Sequence, residues 1–324
     1  MAVRNLTSAH ASAAPRTRRP ANIWQQIWRM RLIYLFLLPA FVLFVIFEYW
    51  PTFLVFREAF YDWDGFRINN FIGLANFQEI LHDPTFRQSL KNILIILVFY
   101  LTIPFAMPII IAETVFNLAS ERAQKFWRVF LLIPAIIPFL VILLLWQYLY
   151  NPVPGEGFLN NVLQHFGQQP KLWLASPNTS LWSYMLIEFP WASGTYMLIY
   201  LAGLQNIPQD VVDASRLDGA STWTRIFRID MPLIMGQIKL IAILTVIQTL
   251  QRYVGIYILT NGEGGPANST MVPGVYLFQK AFNAHRLGYA CAVGLVMFLF
   301  ILALTLINQF LIKSESDAQE QGIV

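Results

Sequence analysis

Two small groups of polar residues in this chain are of types that can do molecular work. The first lies inside apolar runs: Glu188, and the cluster Gln248, Gln251, Arg252 and Tyr253. An ionisable side chain at membrane depth is costly, so it marks a solute path by default. Carboxylate, amide, guanidinium and phenol groups are also the types that hold polyhydroxylated or charged solutes. Residues 248, 251, 252 and 253 cannot all share one helical face. Two readings stay open for each, contact with a solute or hydrogen bonding between helices. For Arg252, snorkelling to the membrane interface is a third. Glu188 would repel an anionic solute and is expected to pair with a cation, whereas an anionic solute would make Arg252 the residue to test.

The second group is the stretch 213–232, DASRLDGASTWTRIFRIDMP, a polar segment between two apolar runs. Pro208 suits the first turn of a short helix, where its missing N–H costs nothing. Asp210 complements the dipole of that helix, which should run to about Leu217. Asp218-Gly219 is a turn signal, and Ser221 is an N-cap for a second short helix. In that helix Trp223, Ile226 and Phe227 share a face, while Arg225 and Arg228 point away. Pro232 should open the next long helix. The physics leaves two readings: an interfacial amphipathic loop with no partner, or a docking element.

Other chemistries lack their motifs. The sequence has no G-x-x-x-x-G-K-[ST] phosphate loop, no H-E-x-x-H, no C-x-x-C and no G-x-S-x-G; its four histidines are dispersed. Cys291 is the single cysteine and sits in an apolar run, as a core residue does. No catalytic residue, metal site or resident cofactor is expected, so energy for any work must come from another subunit.

The elements that position these groups are membrane helices. Of 324 residues, 56% are hydrophobic and 12% charged, against roughly 25% charged in soluble domains. Six apolar runs lie at about 32–56, 92–113, 126–149, 181–204, 233–257 and 289–312, each near the roughly 20 residues that span a bilayer. The expected architecture is all-α and polytopic, with a basic tail at 1–31, a membrane domain at 32–312 and a second tail at 313–324. The first run reads as an uncleaved anchor. With the N-terminus inside, the inner segments carry 12 Lys and Arg and the outer loops seven, which places both ends and the 205–232 loop in the cytoplasm. The net charge of +4 follows these topology determinants and does not point to nucleic acid.

The spacing of the second group resembles the EAA loop of binding-protein-dependent ABC importer permeases, E-A-A-x-x-D-G-A, eight residues, then I-x-L-P. Here it reads Asp213-Ala214-Ser215-Arg216-Leu217-Asp218-Gly219-Ala220, eight residues, then Ile229-Asp230-Met231-Pro232. Three positions depart: Asp213 for Glu, Ser215 for Ala and Met231 for Leu. FIGLANF (71–77), RVFLLIPAIIPFLVILLLWQYLYNPVPGEGFLN (128–160), YLAGLQNIPQDVVDAS (200–215) and YILTNGEGGPANST (257–270) resemble further segments of the maltose-type sugar permeases. The opening RLIYLFLLPAFVLFVIFEYWP is nearest to permeases for uronide and alginate oligosaccharides.

The resemblance implies a six-helix type I importer permease in the bacterial inner membrane. It implies a second permease subunit, two ATPases that bind ATP and Mg, and an extracytoplasmic solute-binding protein. It implies that Asp213, Ala214, Asp218, Gly219, Ala220, Trp223, Ile226, Phe227 and Pro232 form the ATPase-coupling element, with Arg225 and Arg228 facing acidic ATPase residues or lipid phosphate. A secondary transporter would instead need intramembrane carboxylates and internal repeats. A membrane-embedded transferase would need a polar catalytic cluster at one interface.

Overall fold

The computed structural model describes residues 28, 30–153, 155–191 and 193–311. The tails expected at 1–31 and 313–324 lie almost wholly outside these residues. The chain divides into two units, residues 1–54 and 55–324. The described part of the first holds a helix, Arg31–Phe44, continued by a π turn, Val45–Tyr49, with no buried residue in either. With the following turns it forms a continuous apolar helix to Glu58, 28 residues long.

The second unit is mostly helical. Among the described residues its departure from an all-α fold is one antiparallel hairpin, Tyr61–Trp63 against Asn69–Phe71, with Asp62 opposite Asn70. Asp64 Oδ1 closes the turn by accepting from the N–H groups of Phe66, Arg67 and Ile68. These bonds hold its carboxyl below the ordinary range despite the opposing effect of desolvation.

The second apolar run begins where Asp83 caps Pro84–Tyr100, accepting from Thr85 N at 2.7 Å and Phe86 N at 3.0 Å. It breaks at Leu101-Thr102, ahead of Pro104, and continues as Ile103–Phe116. The third run was expected as one helix over 126–149. It is instead Glu121–Ile136 and Phe139–Leu149, bent by 79°. The cause is local: Pro138 cannot donate a hydrogen bond, and Ile137 before it is extended (φ −70°, ψ 123°).

The fourth run, expected over 181–204, is also interrupted. Ser180–Leu186 and Gly194–Gln205 are helical, and residues 187–191 and 193 are not. At about 1.5 Å per residue neither piece alone crosses a 30 Å hydrocarbon layer. Gly194 is required where it stands: a Cβ there would lie 2.7 Å from Leu131 O. The fifth run is Met235–Leu250 and Val254–Leu259, interrupted at residues 251–253. Pro232 does not open it; Pro232 lies in a separate turn, Met231–Leu233. The sixth is Leu287–Leu311 without interruption. By length and apolar character the described residues hold four candidate spans, or five if the bent pair counts as one.

Two apolar cores result. One is built around Ile93, Ile96, Leu143, Met185, Val275 and Val293; the other around Ile109, Met197, Tyr200, Leu204, Val212 and Ile234. At the first end of the Pro84–Phe116 span, Tyr276 donates to Asp83 Oδ2 at 2.7 Å, and Arg286 meets both oxygens of Glu79 at 2.6 Å. Arg286 holds the Glu79 carboxyl below its usual range. Burial alone would raise the Asp83 carboxyl. The Tyr276 hydroxyl, the capped N–H groups and Lys280 outweigh it and hold it low. The other end of the span meets the 205–232 loop.

Candidate functional site

The loop folds as two short helices around a glycine. Gln209–Leu217 carries Asp210 in its first turn, with Pro208 just before it rather than within it. Val212 is buried in the second apolar core, while Asp213 and Ala214 are exposed. Asp213 accepts from Gln209 Nε2 at 3.0 Å and faces Arg216 at 3.5 Å. Gly219 follows Asp218 with φ +74° and nothing within 4 Å of a built Cβ, so its backbone conformation, not crowding, calls for glycine. Ala220 is half-buried. Ser221 caps Thr222–Arg225 by accepting from Thr224 N at 3.2 Å. A π turn, Ile226–Asp230, leads to Pro232.

Trp223 and Phe227 stack at 6.0 Å and 13° and remain 71% and 59% exposed. Ile226 between them in sequence is half-buried. The expectation for Arg225 is overturned. It does not face outward; it is buried and pairs with Asp230 Oδ2 at 3.0 Å. It also donates to Asn117 Oδ1 and lies 6.0 Å from the Phe116 ring. Asn117 in turn donates to the backbone oxygen of Glu113 at 2.8 Å. Only Arg228 of the two arginines is exposed. Arg225 does lie opposite Trp223 on the short helix, and it is the Arg225 face, not the aromatic one, that turns to the core. The π turn that follows sets Asp230 beside it, five residues on. Asn117 and Asp230 escaped sequence reasoning because their partner is 108 residues from one and was assigned to solvent in the other.

The first group converges on helix interruptions. Glu188 lies in the break of the fourth run, and Arg252 in the break of the fifth. Arg252 Nη1 donates to Glu188 Oε1 at 2.5 Å, the cation expected for that carboxylate. Tyr100, the last residue of Pro84–Tyr100, donates to Glu188 Oε2 at 3.1 Å and carries the guanidinium over its ring at 4.3 Å. Gln248 is exposed and accepts from Tyr196 at 2.8 Å. Gln251 and Tyr253 flank Arg252 and are exposed, but neither joins the pair. Tyr100 and Tyr196 were not singled out from sequence; a tyrosine inside an apolar run was the available signal. Nearby, Trp191 takes φ 57°, packs against Phe99 and Phe189, and donates to Met185 O. Among the described residues no group of three or more His, Cys, Asp or Glu could hold a metal.

These features define an integral-membrane transport component, and the comparisons place it in a family. A family described as "binding-protein-dependent transport system inner membrane component" matches residues 105–316. The chain belongs to this family and is a transport permease rather than an enzyme. The probable ABC transporter permease protein YurN of Bacillus subtilis (strain 168) is 32% identical over 88% of this chain and 97% of its own length. The lactose transport system permease protein LacF of Rhizobium radiobacter is 29% identical over 85% of this chain and 92% of its own. A solved bacterial ABC transporter "involved in the import of the acidic polysaccharide alginate" contains a chain that matches with a TM-score of 0.75 at 22% identity. The match covers 90% of this chain and 99% of that one, and it shows a shared fold.

Proposed function

We propose that the chain is the membrane permease subunit of an ATP-driven importer for a carbohydrate, taken as an oligosaccharide from an extracytoplasmic binding protein. In this reading the six apolar runs all serve the crossing, the bent and broken ones included. Both ends are cytoplasmic, the membrane is the bacterial inner one, and a second permease and two ATPases with their ATP and Mg complete the complex. The names of sugar permeases among its relatives support the cargo class.

The observation that carries the reading is the 205–232 loop. It is anchored on one side by Val212 and by Arg225 with Asp230, and it leaves Trp223 and Phe227 stacked and uncovered. A short rigid pair fixed to two long helices can pass a rigid-body motion of an ATPase to the membrane domain. Gly219→Asp tests it. The added Cβ meets nothing, so the fold bears only the cost of a left-handed non-glycine residue, about 1 kcal/mol. The variant should insert normally, yet lose the ATPases or hydrolyse ATP without uptake. Normal uptake by Gly219→Asp would remove the coupling role.

A further inference from the structure

We infer that Arg252 is the carboxylate-binding residue of the transport path, and that Glu188 is a resident carboxylate which an acidic saccharide displaces. The inference rests on the carbohydrate-importer reading and narrows the cargo to oligosaccharides that contain uronic acid.

Three observations carry it. The first is accessibility. Glu188 and Arg252 keep 30% and 20% of their side-chain surface exposed, whereas the Arg225–Asp230 pair of the same chain is sealed at 7% and 0%. A solute can reach the former pair and not the latter.

The second is backbone freedom. Tyr100, Glu188 and Arg252 stand at the interruptions of the second, fourth and fifth runs. Glu188 is held by no helical ladder, so it can swing away without unwinding a helix. Arg252 keeps a second support besides Glu188, the ring of Tyr100 at 4.3 Å. The binding cation is therefore positioned before the exchange.

The third is unused donor capacity. A guanidinium presents a planar fork that matches a carboxylate with two parallel bonds. Here a single nitrogen, Nη1, holds a single oxygen of Glu188. A carboxylate free of a protein backbone can take the fork in two-point fashion, which Glu188 does not. The surroundings suit the rest of a sugar acid: Phe189 is 59% exposed, Trp191 is half-buried, and Gln248 is exposed for hydroxyl groups. On exchange, a carboxylate leaves Arg252 as another arrives. The charge at the arginine is conserved, and a neutral sugar has nothing to offer in return.

Direct binding to the assembled complex, without binding protein, tests this by the quenching of intrinsic tryptophan fluorescence. The probes are a trisaccharide of uronic acid and the neutral trisaccharide of the same linkage. Removing a competing internal carboxylate raises apparent affinity, so Glu188→Gln should bind the acidic probe several-fold more tightly and the neutral probe no better. Arg252→Gln should lose at least about tenfold for the acidic probe alone, as expected for a charged hydrogen bond. Unchanged or weaker acidic binding by Glu188→Gln overturns the inference, as does failure of both variants to assemble, which would make the pair structural. If wild type and Glu188→Gln prefer the neutral probe, the acidic cargo is wrong while the importer reading stands. If the wild-type complex, given its loaded binding protein, imports no saccharide, the importer reading itself falls.

Discussion

Arg225–Asp230 and Arg252–Glu188 are the same chemistry in two settings. The first pair is five residues apart, spans a π turn from end to end and is almost wholly sealed. Its reach is outward, to Asn117 and Phe116 at the end of the second run. The second pair is 64 residues apart, joins two helix interruptions and stays open. A sealed pair built on continuous turns can only move with its elements, which suits transmission. An open pair built on broken helices can part without disturbing them, which suits exchange. Sequence position alone points to the opposite exposures, since Arg225 lies in a polar loop and Arg252 in an apolar run.

The strongest way to break the comparison is to neutralise one partner of each pair. Arg225→Met leaves Asp230, which has no exposed surface, without a counter-ion. Removing one member of a buried pair costs about 3–5 kcal/mol. The expected result is a large fall in membrane abundance and in thermal stability of the purified complex. Arg225→Met with Asp230→Asn should recover most of that loss. Arg252→Gln should cost less, because its partly exposed partner can turn to water. Equal destabilisation by the two single variants would erase the distinction.

What was legible in the sequence follows from how local each determinant is. The helix–turn–helix at 209–225 was legible because its signals lie within three residues of what they cap: Ser221 on Thr224, and Gly219 at its own turn. Helix continuity was not. The bend at Pro138 and the break at 187–191 lie within apolar runs, where polar backbone is tolerated only if neighbouring helices bury or satisfy it. Apolar periodicity carries no record of those neighbours. The interior position of Arg225 was hidden for a related reason: a period separates its face from that of Trp223 but does not say which face is covered, and the partners that decide it are Asp230 and Asn117. The cation for Glu188 could be expected as a type, but its identity as Arg252 required the fold.

A smaller effect should come from the exposed face of the loop. Trp223 and Phe227 stack on each other and are largely uncovered. Replacing both with Ala removes little buried area, so thermal stability of the isolated permease should change by less than about 1 kcal/mol. Co-purification of the ATPase should nonetheless fall sharply, as expected when aromatic anchors of an interface are lost. A stability loss comparable to that of Arg225→Met, with ATPase binding intact, would move this pair from the docking face to the fold.

The smallest expected effect sharpens the role of Asp213, where the family pattern has a longer carboxylate. Its side chain is 56% exposed, and its partner Arg216 is 63% exposed at 3.5 Å. A surface pair of this kind is worth about 0–1 kcal/mol, so Asp213→Asn should leave melting temperature and insertion almost unchanged. The variant keeps the size and the acceptor that Gln209 meets at 3.0 Å, so only the charge is removed. If Asp213 reaches an ATPase cation, ATPase association should weaken in a salt-dependent way, and Asp213→Glu should restore it. If association is unchanged across salt concentrations, the carboxylate serves its own helix through Gln209 and Arg216, and docking falls to Trp223 and Phe227.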